Sequence, residues 1–305
     1  MNALQGKTVA ITGSSTGIGL ACVERMIVAG WRVFAAVRKS EDGEKLKSEL
    51  GPNLTPIIMD VTDRPSAVAA AEQVSSSLNG RGLDGLVNVA GIGMMRPVEY
   101  FTPSDLQEIF DINVFGQISV TQAFLPLIHK ARGRIVNISS VGVHIAIPFG
   151  SPINASKSAF SIFSDTLRLE LHPFGVRVCV IEPGAIKTPA VDKTLGDVEA
   201  IIASLPPRGK AQYGEMLRGF GRRAYAREMD GSAPDEVARA VHHALTARRP
   251  RPRYQVGKHA KLLTLLPRIL PVRLLDGLLL RVAGLPTKFG VITNVDSQQR
   301  QQRAA

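Results

Sequence analysis

Six short runs rich in β-branched residues, KTVAIT, RVFAAV, TPIIMD, GLVNVA, RIVNIS and RVCVIEP, recur along the first two-thirds of the chain. They are apolar almost continuously rather than at every second position, so the strands they form must be buried on both faces. Helical stretches lie between them, among them GIGLACVERMIVAG, RPSAVAAAEQVSSSL and the long TPSDLQEIFDINVFGQISVTQAFLPLIHKA. Strands alternating with helices in this way predict a parallel sheet covered on both sides. The long helix opens at Thr102-Pro103-Ser104-Asp105, a hydroxyl cap with proline in the first turn, and SAPDEVARAVHHAL starts in the same style. RYQVGK adds a strand-like segment at the sheet edge. The expected fold class is α/β: one domain over residues 1–258, with a doubly wound, mostly parallel sheet of seven strands and helices on both faces. Within it, residues 191–230 are expected to form a mobile helical excursion over the active-site face. Residues 259–305 form a basic, leucine-rich helical extension with a polar tail.

The chain has 305 residues, of which 45% are hydrophobic and 21% charged, enough for one large core. Cys22 and Cys179 sit in apolar surroundings and read as buried thiols of a reducing compartment, with no disulfide framework. The start of the chain runs almost directly into KTVAIT, without a charged-then-apolar leader, and no apolar run is long enough for an ordinary membrane span. These features point to a cytoplasmic protein. The net charge of +11 is concentrated: from Arg248 to Lys288 there are seven Arg and three Lys against the single acid Asp276. The same tail carries KLLTLLPRILPVRLLDGLLLRVAGL. The simpler reading is a helix pair packed on the domain with its arginines in water. The sharper one is peripheral contact with an anionic membrane. Nucleic acid is not expected, because no aromatic residues interleave with the basic ones.

TGSSTGIG, Thr12 to Gly19, lies between a strand and a helix. Gly13, Gly17 and Gly19 permit a tight turn and close approach to a pyrophosphate, with Ser14, Ser15 and Ile18 on the same turn. The helix that follows presents its positive N-terminus to the phosphates. About twenty residues on, where an acid would accept the ribose hydroxyls of NAD(H), the chain has Arg38 and Lys39. A guanidinium fork suits a 2′-phosphate, so NADP(H) is expected over NAD(H).

TGSSTGIG, Asp60-Val61, NVAG (Asn88 to Gly91), Asn113, ISS ending at Ser140, ASK ending at Lys157 and PGAIKT (Pro183 to Thr188) follow in order. The ordered set resembles the short-chain dehydrogenase/reductase family over about residues 5 to 256. VFAAVRK and the extended tail look most like its hydroxysteroid and retinol dehydrogenase branch. The resemblance implies a Rossmann-type domain, hydride exchange with a nicotinamide, a hydrophobic alcohol or ketone of steroid-, retinoid- or lipid-like kind as substrate, and a homo-oligomer (dimer or tetramer). It also implies roles. Asp60 and Val61 would hold the adenine, Asn88 and Ala90 would line the cofactor path, and Pro183, Gly184, Ile186 and Thr188 would flank the nicotinamide, with Thr188 on its carboxamide. Ser140 would hold the substrate oxygen, Lys157 the nicotinamide ribose, and Asn113 a water in a proton relay.

The family's catalytic phenol belongs four residues before Lys157, on the same helix face. That position is Ile153, and counting thirteen residues forward from Ser140 lands there too. Tyr254 and Lys258 repeat the spacing, but on a strand, where four residues span about 13 Å rather than one helical turn. They read as a decoy. His144 could donate a proton near neutral pH, or simply line the substrate pocket beside Ile153, which is the preferred reading. The remaining histidines show no metal spacing, and no metal is expected. Two functions stand. One is an NADP(H)-dependent oxidoreductase slowed by Ile153; the other is a catalytically inactive NADP(H)-binding protein with a regulatory role.

Overall fold

The computed structural model describes residues 6–290. Seven strands form one sheet: β1 (Thr8–Ile11), β2 (Arg32–Val37), β3 (Leu54–Ile58), β4 (Gly85–Asn88), β5 (Arg134–Ile138), β6 (Arg177–Pro183) and β7 (Arg253–Val256). Their order is β3-β2-β1-β4-β5-β6-β7, and every neighbouring pair is parallel. The order reverses between β1 and β4, and a crevice opens at such a point beyond the carboxyl ends of the strands.

The continuous apolar strands serve two layers. Val9, Ile11, Val33, Ala35 and Val37 pack against α1 (Gly17–Val28), α2 (Ser40–Leu50) and α10 (Pro234–Thr246). Ala10, Phe34 and Ala36 point the other way, toward α3 (Arg64–Ser77), α5 (Gln117–Ala131) and α6 (Ser151–Glu170). Alternate residues of one strand thus feed opposite layers, as period-2 geometry requires. Each large side chain removed from water this way contributes about 1.5–3 kcal/mol. Cys22 and Cys179 are buried free thiols.

The long helix read from sequence exists with one irregularity. Its first part is α4 (Pro103–Phe110), where the Thr102 side chain accepts from the Asp105 N–H and Asp105 answers to the Thr102 N–H, a reciprocal cap. A wide π turn, Asp111–Gly116, then leads into α5. A Cβ at Gly116 would stand 2.7 Å from the Val61 carbonyl, so glycine lets the turn lie against the end of β3.

Residues after β6 form α7 (Pro189–Leu195), α8 (Val198–Ser204) and α9 (Pro207–Met229), so the excursion expected over 191–230 is helical. Leu217, Phe220 and Ala224 of α9 build a third cluster with Met95, Ile202 and Leu205. Phe149 joins it, edge-on to Phe220 and Tyr213. The extension contains α11 (Ala260–Ile269) and α12 (Val272–Ala283), and Ala283 closes the same cluster. Its arginines are exposed as expected, but so are many of its leucines. The polar tail beyond residue 290 lies outside the described residues.

One polar seam crosses the second layer. Asn88 donates to Thr121 Oγ1 at 3.0 Å and to Asn137 Oδ1 at 2.8 Å, and Asn137 donates to Ser164 Oγ at 2.8 Å. All four residues are buried, so each bond stands in for water that cannot reach it. Asn137→Ala leaves one Asn88 N–H without an acceptor and takes a donor from Ser164 Oγ, which keeps only its bond to the Phe160 carbonyl; we expect a loss of about 2–4 kcal/mol, read as a lower urea midpoint at unchanged m-value.

Candidate active site

The turn joining β1 to α1 is shaped by close approach. Gly13 and Gly17 hold φ of +63° and +57°, which glycine adopts without steric cost. A Cβ at Gly19 would fall 2.0 Å from the Gly13 carbonyl oxygen, and one at Gly13 would stand 3.0 Å from the Ala90 backbone. Glycine therefore lets α1 start close over the end of β1, and the first amides of a helix have no partner within it. Ser14 turns inward, its hydroxyl donating to the Ile11 carbonyl at 2.8 Å. Ser15 is half-buried, and Ile18 packs on the core.

Thr12 ties this turn to the next strand. Its Oγ1 accepts from the N–H of Val89 at 2.8 Å and of Ala90 at 3.0 Å. Thr188, which caps α7, comes to the same turn, for a Cβ at Gly17 would lie 3.4 Å from that of Thr188. Arg38 and Lys39 are exposed just beyond β2. Asp60 accepts from both the Thr62 hydroxyl (2.7 Å) and the Thr62 N–H (2.9 Å). These bonds, the hydroxyl's above all, hold its carboxyl below the usual range, and the Arg38 charge acts in the same direction. Val61 beside it is buried.

Two predicted residues converge on Gly91. A Cβ there would stand 3.0 Å from Asn113 Oδ1 and 3.2 Å from Lys157 Nζ. Asn113 sits inside the π turn, fully buried; it accepts from the Ile92 N–H (2.9 Å) and donates to the Ile92 carbonyl (2.9 Å) and to Ser156 Oγ (3.1 Å). Lys157 donates to the Ile138 carbonyl at 3.0 Å, and burial lowers its pKa to about 8. One turn earlier on α6 stands Ile153. A Cβ at Gly93 would lie 3.1 Å from Ile153 Cδ1 and 3.2 Å from Thr194 Cγ2 of α7, so the isoleucine and α7 both come close to that glycine.

Ser140 closes β5. Its Oγ accepts from the Gly142 N–H at 3.0 Å, while neighbouring Ser139 shares a 2.7 Å hydrogen bond with Ser161 of α6. His144 lines an open cleft with Ile147, Ser151 and Asn154. Its Nε2 is 3.1 Å from the Glu182 carboxylate, yet not aligned for a hydrogen bond. Glu182 is wholly buried and is held by the Arg253 guanidinium and, at 2.8 Å, by the Gln255 amide.

Three expected positions differ in orientation. Asn88 does not present its side chain to the crevice, because the buried amide serves the seam between β4 and β5. Ile186 is likewise buried, packed into the α1–α10 layer. Gly184 approaches the chain after β7 instead, where a Cβ would stand 2.5 Å from the Lys258 carbonyl. Pro183, its neighbour, ends β6. The Tyr254–Lys258 pair is separated: Tyr254 bonds to His243 and accepts from the Arg251 N–H, while Lys258 reaches Asp230. Among the described residues no cluster of three or more His, Cys, Asp or Glu could hold a metal. Thr12, Gly91 and Ser156 lie inside motifs read from the sequence but carried no role of their own there, and Glu182 carried none. Thr12 begins the glycine motif and was legible there as a small polar residue at a strand end. The other three show their part only through contacts distant in the chain.

The family profile described as short chain dehydrogenase matches residues 7–199. Human Retinol dehydrogenase 16 is 37% identical over 291 residues, covering 93% of this chain and 91% of its own. The 17-beta-hydroxysteroid dehydrogenase type 6 of Mus musculus is 36% identical over 292 residues, covering 93% and 91%. Among solved structures, a short chain dehydrogenase from Burkholderia cenocepacia J2315 in complex with NADP superposes with a TM-score of 0.67 at 25% identity, over 87% of this chain and 94% of that one. A 3-ketoacyl-(acyl-carrier-protein) reductase from Brucella melitensis complexed with NADH gives 0.66 at 23% identity, over 81% and 93%. The profile spans the glycine turn and the first six strands, the relatives cover nine-tenths of the chain, and the chain belongs to the short-chain dehydrogenase family, in its retinol and hydroxysteroid dehydrogenase-like branch of oxidoreductases.

Proposed function

We propose that the chain is an NADP(H)-dependent oxidoreductase for a hydrophobic alcohol or ketone, steroid-, retinoid- or lipid-like, slowed because Ile153 stands where the family's phenol belongs. The observation that carries this reading is the convergence of Lys157 and Asn113 on Gly91, one turn from Ile153 and beside the glycine turn. The cradle fits a dinucleotide, since side chains at Gly13 and Gly19 would fill it. The first amides of α1 would take the pyrophosphate, Asp60 and Val61 the adenine, Ala90 the path between, and Thr188 the carboxamide. Arg38 and Lys39 would meet a 2′-phosphate; of the solved relatives, one holds NADP and another NADH, so the choice rests on these two side chains. When bound, the nicotinamide gives or takes a hydride.

The chain's own groups do the rest. The Ser140 oxygen accepts from Gly142 and keeps its proton free for a substrate oxygen. Lys157 uses one of three ammonium protons on Ile138 and has two left for ribose hydroxyls. Asn113 keeps one Oδ1 lone pair for a relay water. Ile153 can neither donate nor accept a proton. Helices α7–α9 serve as the lid, with Thr194 near the Gly93 carbonyl. The chain works as a homo-oligomer and meets a membrane peripherally through its extension. A second reading, a cofactor-binding protein without turnover, is favoured by one observation: Ile153 and Thr194 together crowd the space over Gly93.

Fluorescence titration should show tighter binding of NADPH than of NADH. Arg38→Ala should weaken NADPH by about tenfold to a hundredfold and leave NADH nearly unchanged; equal affinities would remove the 2′-phosphate assignment. The pH dependence has a defined sign. Free Lys157 loses its proton near pH 8, and a contact that favours the ammonium raises that pKa in the complex. NADPH affinity is then flat below pH 8 and falls above it, by up to about tenfold per pH unit, and Lys157→Met abolishes the fall. Ile153→Tyr should raise ketone-dependent NADPH oxidation about 10²–10⁴-fold, with little change in cofactor affinity. Activity of the unaltered chain that collapses in His144→Ala would instead make His144 the acid.

A further inference from the structure

Parallel strands bring all their amino ends to one side of the sheet, and the crevice lies at the other. Three neighbouring strands carry cations on that far side. Arg134 opens β5, Arg177 opens β6 as its register partner, and Arg248, Arg249 and Arg251 lie on the link from α10 into β7. The three segments are tied together, for Arg134 donates to the Ala244 carbonyl at 2.7 Å and Arg177 donates to the Arg248 carbonyl. Lys130 and Arg132 stand just before β5, where a Cβ at Gly175 would lie 3.6 Å from Arg132 Cδ. All of these cations except the half-buried Arg134 are exposed. Residues 129–134, 172–177 and 248–252 hold no Asp or Glu. Among the described residues, none of the seven cations is in an ion pair. Of the neighbouring acids, Asp84 is taken by the Thr8 N–H and hydroxyl, and Glu170 at the end of α6 leaves the sum strongly positive. Burial lowers the Arg134 pKa, and the Arg177 charge pushes in the same direction, so like charges meet here without relief.

One apolar group stands among them. Phe174, 58% exposed, ends the 3-10 turn His172–Phe174, and His129 meets its ring edge-on at 4.9 Å between centroids. Aromatic rings together with arginines are what protein interfaces are enriched in, and guanidinium forks fit carboxylates two bonds at a time. A nucleic-acid strand asks for several rings on which successive bases stack, and a bilayer asks for a whole apolar stripe. A single ring meets neither need. We propose that the amino ends of β5, β6 and β7 form a docking surface for an acidic segment of another protein, with Phe174 receiving an apolar side chain set among its carboxylates. The surface lies across the sheet from the crevice, so both can be filled at once, and the proposal does not rest on the enzymatic reading above.

The test is fluorescence anisotropy of a labelled peptide, Asp-Glu-Asp-Glu-Leu-Glu-Asp-Glu-Asp, titrated with the full chain. The peptide should bind, and its counterpart with Ser in place of Leu should bind at least about fivefold more weakly. Arg177→Gln and Arg248→Gln should each weaken the Leu peptide about threefold to fivefold, and Phe174→Ser about fivefold or more. Lys45→Gln, which removes the same charge from α2, should change nothing measurable. Thermal melts followed by circular dichroism check that each variant is folded, and Arg248→Gln keeps the test open if loss of the Arg177 bond disturbs the turn. No binding, an equal loss in Lys45→Gln, or indifference to Phe174→Ser would overturn the proposal. So would an oligonucleotide of the same charge, or phosphatidylserine vesicles, displacing the peptide as well as unlabelled peptide does, because the patch would then hold any polyanion. A fall in the size of the unliganded protein in Arg248→Gln would overturn it too, by assigning the face to a second copy of the chain.

Discussion

One hydroxyl oxygen organises the crevice. Thr12 Oγ1 receives the amides of Val89 and Ala90, joining the end of β1 to the end of β4 where the strand order reverses. Were that contact absent, two half-buried backbone amides would lose their partner. With it, Ala90 lies against Gly13, Gly13 lies under Gly19, and α1 starts over the sheet. Gly91 follows immediately, and Asn113 and Lys157 reach it from two other elements. The site is therefore a stack of close approaches, each with room for backbone and little else.

The sheet and its two layers were legible because their cause is local: β-branched runs buried on both faces can be read residue by residue. The glycine turn was legible for the same reason, since positive φ at Gly13 and Gly17 is a demand on single residues. The directions of Asn88 and Ile186 were not. Each ends or follows a strand, and there one residue of difference sends a side chain inward or outward. Thr12 meets Val89 across 77 residues of sequence, and no local pattern announces the pairing. The π turn around Asn113 has no signature in the sequence, because its residues keep a helical pattern of polarity. In the extension, the leucine periodicity marked apolar stripes but not which stripe faces water.

Glu182 shows how the two ends of the site are braced. A carboxylate with no exposure needs charged or polar partners in place of water, and it finds Arg253 and Gln255 on β7. Arg253 also engages Asp165 of α6. This chain of contacts fixes β7 and α6 around β6, directly below Pro183 and Gly184. His144 lies beside it as a neighbour of that brace, on the same loop that carries Ser140.

The bond from Lys157 to the Ile138 carbonyl has a wider meaning. The ammonium takes its position from the backbone of β5, not from the residue one turn earlier on its own helix. Position 153 can therefore change its chemical character while the cation stays where it is. In such a scaffold the grip on a nucleotide and the capacity to move a proton are separable traits, and a lineage can give up or regain the second by changing one side chain without rebuilding the first.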